Sequence, residues 1–84
     1  MAKFMTPFTI KSPLNEEMLS ILPAERARIR QMMAEGLLLH IFVSADMMAG
    51  WIVFGVDSAE EALSLMDSLP MRANMDVSVV QLLE

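Results

Sequence analysis

The sequence contains no cysteine, no tyrosine, three glycines and a single histidine. Without cysteine the chain forms neither disulfides nor thiolate metal sites, and catalysis by a thiol is excluded. The glycines do not fall in the pattern of a phosphate-binding loop, and no cluster of metal-ligand residues is apparent. We therefore expect a protein that uses neither a metal nor an organic cofactor.

Long apolar runs are also missing. The longest stretch without a charged residue, 47–56, has half the length that a membrane-spanning helix needs, and it contains Gly50 and Gly55. Residues 1–7 lack the apolar segment and cleavage site of a secretion signal. The expected protein is cytoplasmic and has no membrane partner.

Positive charge is scarce, with six Lys and Arg against eleven Asp and Glu and a net charge of -5. This balance repels phosphate backbones unless the arginines gather in one patch. Arg26, Arg28 and Arg30 instead alternate along a predicted helix and spread around it. Nucleic acid is therefore not expected as a partner.

Apolar residues are in excess, at 55% of the chain and a mean hydropathy of +0.46. A chain of 84 residues fits one domain, 1–84, and buries only roughly 60 to 65% of its unfolded surface. The ten methionines are scattered over the chain, as flexible core and interface residues would be. This surplus predicts a homodimer or a larger self-assembly.

The hydrophobic periodicity switches between strand and helix along the chain. The predicted elements are a strand at 4–10, a helix at 15–35, strands at 37–44 and 51–56, a helix from 58 to the stop at 70, and a strand at 75–83. This order predicts an α+β fold of the ferredoxin-like βαββαβ type, in which two helices cover one face of a four-stranded antiparallel sheet.

Four residues are expected to begin or end the helices. Asn15 is a predicted N-cap, Gly36 a predicted C′ residue, and Ser58 with Glu61 a predicted capping box. Two prolines lie inside predicted elements, where a missing backbone N–H is unfavourable. We expect a bulge or fraying at Pro7, and a kink or restart of the first helix at position 23.

His40 is the main chemical candidate, because its ordinary pKa is the one nearest neutrality among side chains. Period-two alternation places four residues on the sheet face away from the helices: Leu38, His40, Phe42 and Ser44. The alternate residues face the helices: Leu39, Ile41 and Val43. His40 is thus a candidate general acid or base in an apolar cleft, although a lone histidine there is also typical of a structural or interface residue.

Four further residues have a functional and a structural interpretation. Glu25 is a candidate acid or base, or part of a solvated helix face. Asp76 would orient His40 across the sheet, or close a turn. Arg72 would hold a substrate carboxylate, or lie on the surface, and Trp51 is an interface or core anchor, or a substrate contact.

Three groups of residues between positions 36 and 79 form a recognisable pattern: Gly36 with His40, Ile52, Val53 and Phe54 with Val56 and Ser58, and Leu69 and Pro70 with Met75, Asp76 and Val77. With this pattern the stretch 36–79 resembles muconolactone isomerase and its small relatives in the dimeric α/β-barrel superfamily. The resemblance implies a ferredoxin-like fold, dimers whose sheets face each other, and a cofactor-free isomerisation that moves a proton on a small unsaturated lactone of aromatic catabolism.

In this resemblance His40 lies where the family has a histidine, and Glu25 lies near an acidic residue of its first helix. Aromatic and basic residues of the family are replaced in this sequence by Leu38, Leu39, Phe42 and Val43, and near the last strand by Ala73 and Asn74. These replacements remove carboxylate and ring contacts of the family, and the substrate contacts that we expect in this chain are Leu38, Phe42, Ser44, Trp51 and Arg72.

Three alternatives stay open on the same fold. A histidine with an aspartate also resembles YCII-related proteins, and antibiotic-biosynthesis monooxygenases use Trp, Asn and His, here Trp51, Asn74 and His40 without the family's spacing. The third alternative is a self-assembling module that binds a small molecule without catalysis. An open cleft at His40 would favour an enzyme, and a closed one the module.

Overall fold

The computed structural model describes residues 2–83, in which five strands and two α-helices form one sheet and one helical layer. The elements are β1 (Ala2–Ile10), α1 (Glu16–Ala34), β2 (Leu38–Val43), β3 (Ala49–Val56), α2 (Ala59–Asp67), β4 (Met75–Val77) and β5 (Val80–Gln81). A 3-10 turn at Arg72–Asn74 precedes β4.

All strand pairs are antiparallel, and the strand order is β2-β3-β1-β4. Strand β5 also pairs with β1, at Phe4 and Met5, whereas β4 pairs with residues 8–10 of β1. Both helices contribute to a single core against one face of this sheet. The predicted ferredoxin-like α+β fold is confirmed. The buried core residues include Phe4, Phe8, Ile52 and Phe54 from the sheet, and Met18, Met32, Ala62 and Met66 from the helices.

The helices begin and end where their capping residues predict. The Asn15 side chain accepts a hydrogen bond of 2.8 Å from the N–H of Met18, and the Ser58 hydroxyl accepts one of 3.2 Å in the first turn of α2. Gly36 has a φ of 77°. The N–H groups of Gly36 and Leu37 bond to the last turn of α1 at 3.0 Å, which is the Schellman pattern that a C′ glycine permits.

The predicted restart at Pro23 is wrong, because α1 continues through it as one helix of 19 residues. Proline cannot donate to the carbonyl four residues earlier, that of Leu19. Both Pro23 and Leu19 are exposed. Water can therefore bond to the carbonyl that Pro23 leaves without a donor, and the helix stays intact.

Pro7 lies inside a regular strand, and the predicted bulge or fraying is absent from β1. Strand β1 pairs with β3 without a register shift from Ala2 to Thr9. The break lies instead in the predicted last strand, which divides into β4 and β5 around Ser78. The carbonyl of Pro7 accepts from the N–H of Ser78 at 3.1 Å. Since a strand residue presents its N and C=O to the same neighbour, the missing donor of Pro7 faces the gap between β4 and β5.

A register shift in β2 changes the predicted alternation. Leu38 pairs with Phe54 and is buried in the core, whereas His40 pairs with Val53, with the shift between Leu38 and His40. The prediction that Leu38 faces away from the helices is therefore wrong, because a bulge adds one residue and reverses the parity. His40 and Phe42 do lie on the helix-free face, as predicted.

No helix within residues 2–83 combines the length and the apolar composition needed to cross a membrane.

Gly50 is required by the packing of the hairpin onto β1. An alanine Cβ at this position would overlap the ring of Phe8 and lie 2.9 Å from the backbone carbonyl of Phe42. The Phe8 ring can shift, but the carbonyl cannot without disturbing the ladder. We expect Gly50→Ala to lower the free energy of unfolding by about 2–3 kcal/mol in denaturant titrations.

Gly36→Ala is the matched control, since no atom lies within 4 Å of its Cβ position and only the φ of 77° opposes the change. That substitution should cost about 1 kcal/mol. A loss for Gly50→Ala no larger than the loss for Gly36→Ala would contradict the close packing at Gly50.

Candidate functional site

A pocket of about 360 Å³ opens between α1 and the sheet, on the helix-covered side. This volume is within the range of small-molecule sites. Most of its walls are apolar side chains from both layers, among them Phe8, Ile10, Leu22, Ile29, Ile41, Ile52 and Met75. A ligand that leaves water for this pocket would therefore contact mostly apolar side chains.

Glu25 supplies the one acidic side chain of the pocket wall. It is 7% exposed, and its Oε1 accepts a hydrogen bond of 3.0 Å from the N–H of Met71. Burial raises the pKa of the Glu25 carboxyl above its ordinary value of 4.5, and the hydrogen bond from Met71 partly opposes this rise. Glu25 is thus a carboxyl whose proton is held more tightly than usual beside an apolar cavity.

The helix pattern explains why Glu25 is buried. Met18, Leu22, Ile29 and Met32 are spaced by three, four and seven residues along the core-facing stripe of α1. Glu25 occupies the position between Leu22 and Ile29 on this stripe. The alternative of a solvated face is therefore wrong for Glu25, and its spacing was the sequence signal for burial.

The mouth of the pocket consists of the lining residues that are also exposed to solvent: Arg26, Val43 and Met47. Arg26 brings a cation from α1, next in the chain to Glu25. Val43 and Met47 bring apolar side chains from β2 and the β2–β3 hairpin. The sequence did not single out Arg26 or Met47 as site residues, because only the packing of α1 against the hairpin brings them together.

Ser44 lines the pocket on the helix-covered side, which corrects its predicted place on the other face. Its hydroxyl donates to the Asp46 carboxylate at 2.6 Å and accepts from the N–H of Ala49 at 3.0 Å. The hydrogen bond from Ser44, with a second from the N–H of Met48, lowers the pKa of the Asp46 carboxyl. The Ser44 hydroxyl is thus engaged in holding the hairpin.

His40 lies on the helix-free face and does not line the Glu25 pocket. It is exposed, and its ring stacks on that of Phe42 with a centroid distance of 6.3 Å. Asp76 is on β4, which is separated from β2 by two strands. At the usual strand spacing the two backbones are roughly 14 Å apart. Asp76 therefore cannot orient His40 within one chain, which corrects that prediction.

The other predicted contacts also lie outside the pocket. Arg72 bonds to Asp67 at 2.9 Å and to the carbonyl of Met75 at 3.0 Å, so its guanidinium is held at the 3-10 turn. Trp51 is 40% exposed on the helix-free face, where it lines a shallower groove with Asp76. Of the five predicted substrate contacts, Ser44 is the one that lines the pocket.

Within the described residues, no three His, Asp or Glu side chains come together as a metal site would require.

A family model described as muconolactone delta-isomerase matches residues 3–84. The chain belongs to this family. The resemblance predicted from the sequence is thereby confirmed, and it extends over almost the whole chain. No curated protein sequence matches the chain.

Solved structures share the fold, among them two enzymes. The crystal structure of muconolactone isomerase is 27% identical and superposes with a TM-score of 0.77, over 98% of this chain and 88% of that chain. The 5-chloro-2-hydroxyhydroquinone dehydrochlorinase of Burkholderia phenoliruptrix, solved in complex with 2,5-dihydroxybenzoquinone, is 12% identical with a TM-score of 0.73. It covers 96% of this chain and 94% of its own, and at this identity it shows a common fold alone.

The buried carboxyl predicts an unusual dependence of stability on pH. The unfolded chain releases the Glu25 proton near pH 4.5, whereas the folded chain holds it to higher pH. Between the two pKa values the folded state binds more protons, so the free energy of unfolding falls as pH rises through this window. The contribution of Glu25 to stability is therefore complete below pH 4.5 and lost above the folded pKa.

Glu25→Gln removes this titration while its amide oxygen can still accept from the N–H of Met71. We expect the variant to melt at a higher temperature than the wild type at neutral pH, with a difference that shrinks below pH 4.5. Glu60→Gln, an exposed change in the first turn of α2, is the control and should not raise the melting temperature at neutral pH, because an acidic side chain there stabilises the helix. A lower melting temperature for Glu25→Gln at neutral pH would contradict a destabilising buried charge.

Proposed function

We propose that this protein is a cofactor-free isomerase that moves a proton on a small unsaturated lactone, with Glu25 as the acid and base. The observation that carries the proposal is the Glu25 carboxyl buried in the wall of an apolar pocket, in a chain of the muconolactone delta-isomerase family. Enzymes place a carboxyl in such surroundings when it must gain and lose a proton near neutral pH.

The chemistry needs only one such group. In an α,β-unsaturated lactone the hydrogen on the ring carbon beside the ring oxygen is acidic, because the resulting carbanion is delocalised to the carbonyl as a dienolate. The Glu25 carboxylate removes this proton and returns it to the carbon next to the carbonyl. The double bond shifts by one position, and no atom is gained or lost. A raised pKa makes the carboxylate a stronger base for the first step.

Arg26 is the proposed partner for a carboxylate carried by the lactone. It is exposed at the mouth, whereas Glu25 lies in the wall of the pocket. A carboxylate held by the guanidinium would place the ring of a small lactone inside the apolar part of the pocket. Arg26 takes the role that the sequence suggested for Arg72, whose guanidinium is bonded elsewhere.

The proposed setting is aromatic catabolism, where small lactones and quinones arise from ring breakdown. The muconolactone delta-isomerase family and the structure of muconolactone isomerase, which is 27% identical, support this setting. His40 remains the alternative group for proton transfer, in a site that two facing sheets would have to build.

Comparison of three variants tests the assignment with muconolactone as substrate. Glu25→Gln should lower kcat by roughly 10² to 10⁴-fold, because it removes the acid and base and leaves the shape of the pocket. His40→Ala should leave kcat within a few-fold of the wild type, and Glu60→Gln should have no effect. Loss of turnover in His40→Ala with turnover preserved in Glu25→Gln would reverse the assignment.

The proposed base also predicts the pH profile of the wild type. The deprotonated carboxyl is the active form, so kcat/KM should rise with pH, and the midpoint should lie above 4.5 because burial raises the pKa of Glu25. For Arg26→Ala we expect KM to rise by about tenfold or more with a smaller change in kcat, whereas Arg30→Ala, exposed and outside the pocket, should match the wild type.

We also propose that the chain self-associates through its helix-free sheet face. Phe42, Trp51 and Val80 are 59%, 40% and 54% exposed on this face. Phe42 pairs with Trp51, and Trp51 with Pro7, so the apolar surface crosses three strands without interruption. A second copy of the same face is an apolar surface of matching shape, and a homodimer would remove both from water.

Replacement of Trp51 by lysine tests this arrangement. Sedimentation of the wild type should give a dimer or a larger assembly, and Trp51→Lys should weaken association by about 100-fold or more. Leu19→Lys, which adds the same charge to an exposed position on α1, should not change the assembly. A wild-type monomer at micromolar concentration would refute the proposal.

A further inference from the structure

Met47 has a backbone conformation that its residue type disfavours. Its φ is 63°, in the left-handed region, and it is the one non-glycine residue with a positive φ among residues 2–83. In this region the Cβ of an L-residue crowds the backbone, which costs roughly 1–2 kcal/mol, and Gly or Asn is the usual occupant. Met47 is not part of the core cluster, so packing in the core does not explain its unfavourable backbone conformation.

The turn around Met47 is fixed from both sides. The N–H of Met47 donates to the carbonyl of Ser44 at 2.9 Å, and the N–H of Ser44 donates to the carbonyl of Ala49 at 2.8 Å. The Asp46 carboxylate accepts from the Ser44 hydroxyl at 2.6 Å and from the N–H of Met48 at 2.9 Å. These four hydrogen bonds hold the hairpin in a shape that keeps residue 47 left-handed.

The side chain of Met47 is at the mouth of the pocket. It is 40% exposed and lines the same pocket as Glu25. With Val43 it forms the apolar side of the mouth, whereas Arg26 on α1 forms the cationic side. A molecule with a charged end and an apolar end therefore enters this mouth in one orientation. Methionine is unbranched and flexible, so it can cover apolar groups of different shape.

We propose that Met47 is a specificity-determining residue that covers the apolar end of the substrate and limits its length. The strained turn holds this side chain over the pocket, where a glycine would relieve the strain but leave the apolar side of the mouth open. The substrate class that follows is a lactone with one carboxylate toward Arg26 and an apolar substituent toward Met47. This inference rests on the proposed function, because it concerns which lactones the same pocket accepts.

The proposal is tested by three variants that separate the side chain from the strain. Met47→Ala removes the side chain and keeps the left-handed strain, and Met47→Gly removes both. Met47→Leu keeps an apolar side chain of similar size and serves as the matched control. The probes are straight-chain carboxylates from butanoate to octanoate, and binding is followed by the amide resonance of Met71, whose N–H bonds to Glu25.

In the wild type, affinity should pass through a maximum along the series, because Met47 contacts the shorter chains and obstructs the longest. Met47→Ala and Met47→Gly should shift this maximum to longer chains, with octanoate gaining and butanoate losing roughly threefold to tenfold in affinity. Met47→Leu should follow the wild type. The same order should appear in kcat/KM for muconolactone analogues with growing alkyl substituents.

Unfolding measurements report on the strain independently. Met47→Gly should be more stable than Met47→Ala by about 4–8 °C in melting temperature. Equal melting temperatures for these two variants would show that residue 47 is not left-handed in solution and would overturn the proposal.

A length preference in Met47→Ala identical to that of the wild type would also overturn it, as would the absence of carboxylate binding in every variant at millimolar concentration. The binding experiment does not depend on turnover. If the wild type converts no lactone, the proposed function fails, and the carboxylate series still decides the role of Met47.

Discussion

The burial of one carboxyl group in the apolar stripe of α1 is the constraint on which the site depends. Glu25 takes a position between Leu22 and Ile29 that a leucine would fill with a gain in stability. The loss of hydration of the buried carboxyl is offset by a single hydrogen bond, which the backbone N–H of Met71 donates. This bond joins the middle of α1 to the segment before β4, so the chain must close its second half over the first before Glu25 has its partner.

The fold is largely encoded in local signals that agree with one another. Asn15, Gly36 and Ser58 delimit the helices where expected, because each satisfies backbone groups that the helix itself cannot. The predictions at the two prolines were wrong, because the loss of stability from a proline depends on what its missing N–H would have faced. At Pro7 that neighbour is a gap between strands and at Pro23 it is solvent, and neither can be read from the local sequence pattern.

The site was harder to predict, because it depends on one bulge and on one position in a stripe. The register shift at Leu38 places Leu38 in the core, and simple alternation has no means of locating such a shift. The spacing of Glu25 along α1 was present in the sequence, yet the charged residues around it favoured a solvated face. Arg26 and Met47 are distant in the chain, and only the packed structure shows that they border one opening.

The two faces of the sheet carry different features. The helix-covered face holds the core and, at one end, the pocket with its buried acid, whereas the opposite face carries exposed aromatic side chains and a shallower groove. A small chain cannot bury both faces alone. Because the hairpin that carries Met47 also joins β2 and β3, which present Phe42 and Trp51, an assembly through the helix-free face would stiffen the hairpin that borders the pocket. Self-association and substrate selection would then depend on the same pair of strands.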